Sequence, residues 1–85
     1  MIQSFEVLQV DAVPDEDSWV TNSVDVIGYF FTKGNPKRAL MQFLKQQGIT
    51  FQKGTIRVED DGDYITVLER KTQRPLFDAK YKWEM

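Results

Sequence analysis

Only one segment of this 85-residue chain carries helical periodicity, and that restricts the architecture more than any other feature. The segment is KGNPKRALMQFLKQQG, Lys33 to Gly48. Asn35 suits an N-cap, Pro36 the first helical position and Gly48 the C′ position. Between them Ala39, Leu40, Phe43 and Leu44 recur at i, i+3 and i+4, which makes one apolar stripe that must pack on something flat. At 100° per residue, Lys37, Arg38, Met41 and Lys45 fall on the outward flank, with Met41 as edge-of-core packing. Everything else reads as strand or turn, so the helix has a sheet as its partner.

The clearest strand pair is GTIRVEDDGDYITVLER. With Asp61-Gly62 central in a type I′ turn, Val58 opposes Ile65 and Ile56 opposes Val67. Arg57 then opposes Thr66, and Glu59 opposes Tyr64. That register makes one apolar and one polar face on both strands together. The acidic run EDDGD does not fit a calcium loop, because no start position places Gly sixth and Glu twelfth. KTQRP makes a further turn, after which LFDAKYKWEM alternates, with Phe77, Ala79, Tyr81 and Trp83 sharing a face. This strand is expected antiparallel to the one before it.

Upstream, Val24 to Lys33 is a β-rich run, and Gly28 in its middle predicts a bulge or close approach of the helix. FEVLQVDAV forms an initial strand, and DAVPDEDSWVTNS, with its proline and acidic run, is expected to be a loop. The resulting order is β-β-α-β-β-β. The fold class is α+β: a single domain over residues 1–85, with one mixed or antiparallel sheet of about five strands and one helix on one face.

Composition narrows the chemistry. Histidine and cysteine are both absent, which removes the usual proton shuttle, the usual zinc ligands and any disulfide. Neither a P-loop nor a dinucleotide-binding glycine pattern occurs. The chain is therefore expected to be non-catalytic, with no cofactor and no metal. It has no signal-peptide pattern and no run long enough to span a membrane, so a soluble, cytoplasmic protein is expected.

Net charge is −2, but the charges are segregated. Residues 1–32 hold six acids and no base, 33–58 six bases and no acid, 59–69 five acids, and 70–85 five bases against two acids. Blocks of this kind either neutralise one another within the sheet or leave separate acidic and basic regions, which favours a charged partner or self-association.

One helix leaves the second sheet face uncovered, and eleven aromatics exceed what one core needs. The first expectation is protein binding, including homodimerisation, through Tyr29, Phe31, Tyr81 and Trp83. Its counterpart is that segments 11–23 and 49–54 fold over that face, with Trp19 and Phe51 as plugs. The alternative partner is nucleic acid, held by the basic helix flank and the last strand through Lys33, Lys37, Arg38, Lys45, Lys53, Lys80 and Lys82. Against it stand an acidic isoelectric point and the lack of any nucleic-acid-binding signature. On size alone, a small phage or mobile-element protein is a further alternative.

Overall fold

The computed structural model describes residues 2–82. Six elements follow in the expected order: β1 (Gln3–Asp15), β2 (Ser18–Thr32), α1 (Pro36–Gln46), β3 (Ile56–Asp60), β4 (Tyr64–Glu69) and β5 (Pro75–Lys82). The five strands form one antiparallel sheet in the order β2-β1-β5-β4-β3, so β2 and β3 are its edges.

Helix α1 starts where its cap predicts. The Asn35 side-chain oxygen accepts from the amides of Lys37 and Arg38 at 3.0 and 3.2 Å, satisfying two donors of the first turn. Leu40, Phe43 and Leu44 are its buried residues, and they pack with Phe5 and Val7 of β1, Ile65 and Val67 of β4, and Phe77, Ala79 and Tyr81 of β5. Met41 is half-buried at the rim of this core, as its place on the helix implies. Ile27 and Gly28 of β2 both turn toward the helix, because Ile27 is an extra residue with no partner on β1. This is the bulge that Gly28 signals, and it is also the close approach: a Cβ at Gly28 would lie 2.6 Å from the Phe43 ring.

Two expectations are corrected. The segment 11–23 is not a loop: β1 and β2 continue to Asp15 and Ser18, joined by Glu16 and Asp17 alone. Pro14 is tolerated because β5 pairs with β1 only from Ser4 to Gln9. Beyond Gln9, β1 has an open side, where a missing N–H leaves no ladder bond unmade. The second correction concerns the β3–β4 register, which is shifted by two residues. Val58 opposes Val67, Glu59 opposes Thr66, Arg57 opposes Leu68 and Ile56 opposes Glu69. The Asp61 carboxylate causes this by accepting from the amides of Asp63 and Tyr64 at 2.9 and 2.8 Å, which moves the turn one residue along the chain. An even shift keeps every side chain on its face, so the apolar side of the hairpin is as expected.

Candidate protein interface on the open edge and face

Strand alternation and the ladder partners together map the helix-free face of the sheet. Phe31, Ser4 and Lys82 make one row across it, and Tyr29, Glu6, Lys80 and Tyr64 the next. Then come Val26, Leu8, Asp78, Thr66 and Glu59. Val24 lies beside Val10 in the row beyond. The rows change character from edge to centre. On β2, Phe31 is 70% exposed, Tyr29 60%, Val26 52% and Val24 48%. These four side chains form a continuous apolar and aromatic strip along one edge of the sheet. Beside it run charged groups of β1 and β5, with Glu6 opposite Lys80.

The strip meets the charged column at the Tyr29 hydroxyl, which donates to Glu6 Oε2 at 3.1 Å. That hydrogen bond, then the Glu6 charge, raises the Tyr29 pKa, because both favour the protonated phenol. Further in, burial pushes the Asp78 carboxyl up, while a hydrogen bond with Thr66 works against it. The far end of this face is closed. Val10, Ala12 and Leu68 are buried there without belonging to the helix-side core. The Trp19 indole N–H donates to the Thr72 carbonyl at 2.9 Å, and the Arg74 guanidinium lies 5.7 Å from the same ring. Trp19 thus marks the covered end, whereas Phe51 packs edge-on against Phe77 on the helix side.

Of the four expected protein-binding residues, Tyr29 and Phe31 stand side by side in the exposed strip. Tyr81 does not: it is buried on the helix side, 4.5 Å from the Phe5 ring. The reason is parity. Tyr81 shares its face with Phe77 and Ala79, and that face meets the helix. Trp83 lies outside the described residues. The basic residues do not form one surface. Lys37, Arg38 and Lys45 are exposed on α1, and Lys33 and Lys53 occupy the loops before and after it. Lys80 and Lys82 sit on the opposite side of the sheet, in register with Glu6 and Ser4.

Val24 and Val26 belong to the strip and were not singled out from the sequence. The alternation Val24-Asp25-Val26 carried the signal, but only the strand order puts it at an edge. Charges are largely unpaired: among the described residues, Arg57–Glu59 at 3.3 Å and Arg74–Asp11 at 3.9 Å are the side-chain ion pairs. An open hollow of about 520 Å³ lies on the helix side near Asp11, Asp25 and Arg74. Among the described residues no metal-binding group of acidic side chains forms, and no helix is long and apolar enough to cross a membrane.

Tyr81 offers a test of its burial. Its hydroxyl donates to Asp60 Oδ2 at 2.6 Å, and its pKa is pushed up to about 12, by burial first and Asp60 second. A raised folded pKa means the folded state holds this proton after the unfolded chain has lost it. Its contribution to stability is therefore complete below the ordinary value of 10.0 and is lost as pH rises toward about 12. Tyr81→Phe should flatten this part of the alkaline decline in denaturation midpoint and remove the latest-titrating tyrosinate absorbance. An unchanged alkaline profile would contradict the assignment.

No protein-family model, curated protein or solved structure matches this chain.

Proposed function

We propose that this chain is a small non-catalytic interaction protein of the cytoplasm, which binds another protein through the β2 strip. The observation that carries this reading is the exposure of Val24, Val26, Tyr29 and Phe31 together, on a strand whose outer backbone edge is also open. Water gains nothing from a contiguous apolar strip, and removing it from solvent is worth about 25 cal/mol per Å² before the costs of association. An open edge supplies unpaired N–H and C=O groups on the same strand. A partner adding a strand to β2 would bind both, with backbone hydrogen bonds giving affinity and side-chain contacts giving specificity.

Photo-crosslinking tests the reading in the full chain. A photoreactive phenylalanine replacing Phe31 should give a discrete protein adduct in cells, and Val26→Lys in the same chain should abolish it. The control is the same group at Arg57, on the opposite edge of the same face. Equal labelling from both positions, or none from Phe31, would sink the proposal.

A further inference from the structure

We infer that the partner of β2 is a second copy of this chain, paired antiparallel along β2 about a two-fold axis at Asp25. The inference rests on the proposed role of the β2 strip and gives it an occupant. It follows from the pattern of faces on β2. Ile27 and Asn22 each lack a partner on β1, so β2 carries two bulges, and side-chain alternation resets at each. Opposite the even-numbered residues of β1, and hence on the helix-free face, lie Trp19, Thr21, Val24, Val26, Tyr29 and Phe31. Their positions mirror one another about Asp25: 24 with 26, 21 with 29, 19 with 31. The helix-side residues mirror likewise, 23 with 27, 20 with 30 and 18 with 32. Facing residues of paired strands must share a face, and this register satisfies that requirement along the whole of β2, Ser18 to Thr32. Each bulge then meets a bulge of the other copy, so neither strand gains a residue on the other.

Side chains and charges agree with the register. Val24 opposes Val26 and Thr21 opposes Tyr29, each pair occurring twice by symmetry, and β-branched and aromatic pairs of this kind stabilise sheets. Phe31 falls opposite Trp19, whose indole is held within its own chain by Thr72 and Arg74. At each end Asp17 opposes Lys33. The acidic turn of one copy, Asp15, Glu16 and Asp17, therefore meets the basic start of the helical segment of the other, Lys33, Lys37 and Arg38. The segregated charges that find few partners within the chain acquire them between copies. Helix α1 covers the Gly28–Thr32 end of β2, where Phe43 meets Gly28 and Phe30. In this register each helix lies across from the Ser18–Asn22 end of the other copy.

The opposing term is Asp25 facing Asp25 at the axis. A second register, centred between Ile27 and Gly28, avoids this. It matches faces only from Ser23 to Thr32, sets Asp25 against Phe30, and brings the two helices closer.

Three measurements on the full chain decide the matter. Sedimentation should show a dimer of the 10.0 kDa chain that dissociates on dilution and with added salt. Asp17→Lys and Lys33→Glu, both at exposed turn or loop positions, should each weaken it about three- to thirtyfold, and the double variant should restore it. Because the natural chain has no cysteine, Asp25→Cys should form an intermolecular disulfide across the axis under mild oxidation, its Cα–Cα separation falling in the permitted range. A dimer without that disulfide, or without charge-swap rescue, overturns the Asp25-centred pairing. A monomer at every concentration, with Phe31 crosslinked to a chain of another mass, overturns self-pairing while leaving the interaction reading intact. A monomer with no Phe31 adduct overturns both.

Discussion

Phe5→Ala is expected to be the most damaging single substitution in the described chain. Phe5 lies on β1, the strand between β2 and β5, and no part of it reaches solvent. Its ring stacks on Phe30 at 4.8 Å and meets Tyr81 at 4.5 Å, linking three strands in one aromatic cluster that continues through Phe30 to Phe43 of the helix. Truncating such a residue costs about 3–5 kcal/mol, from lost burial and from the cavity left where a sheet cannot collapse. A chain of this length has a stability of roughly 4–13 kcal/mol. The variant should therefore lose much of its urea midpoint and sit partly unfolded near physiological temperature. Phe31→Ala is the matched control, because its ring is on the surface of the single chain, and in dilute solution, where any self-association is lost, it should shift stability by less than about 0.5 kcal/mol. Equal effects of the two would mean that the aromatic cluster is not the core.

The second large effect is expected at Gly28. Its φ is +155°, a conformation that residues with a Cβ rarely adopt, and a Cβ there would lie 2.6 Å from Phe43 Cζ and 3.2 Å from Cε2. Gly28→Ala should cost about 1–3 kcal/mol from overpacking, with backbone strain added. The cause can be separated from strain by a second substitution. Phe43→Leu removes the ring that the new methyl strikes, so the double variant should be more stable than the sum of the single losses predicts. Strict additivity would assign the whole cost to the backbone. The position also shapes the proposed interface. The same bulge that brings Gly28 to the helix turns Tyr29 and Phe31 onto the open face in line with Val24 and Val26.

Local chemistry accounts for what was legible in the chain. The Asn35 cap, the Leu40–Phe43–Leu44 stripe, the alternation of Phe77, Ala79 and Tyr81, and the two sides of the β3–β4 hairpin depend on spacings of two to four residues, which the order of amino acids encodes directly. So does the bulge at Gly28. The errors have physical causes of another range. Pro14 marks a loop in most contexts, but here β1 has no neighbour beyond Gln9 and the missing donor is harmless. The Asp61-Gly62 pair is a strong turn signal, but two hydrogen bonds to the Asp61 carboxylate select a turn one residue later.

By itself, the amino-acid sequence determined the order of the elements, the fold class and the apolar side of β3, β4 and β5, because periodicity and capping act between neighbours. It also determined that Tyr29 and Phe31 lie on one side of their strand and that the charges fall into separate acidic and basic blocks. Only the tertiary structure decided that β2 is an edge, that Val24 and Val26 extend the strip, and that Tyr81 belongs to the core. Those outcomes depend on which strand pairs with which, and on which sheet face receives the helix. Both are contacts between residues far apart in the chain, whose balance of burial and hydrogen bonding no local pattern records.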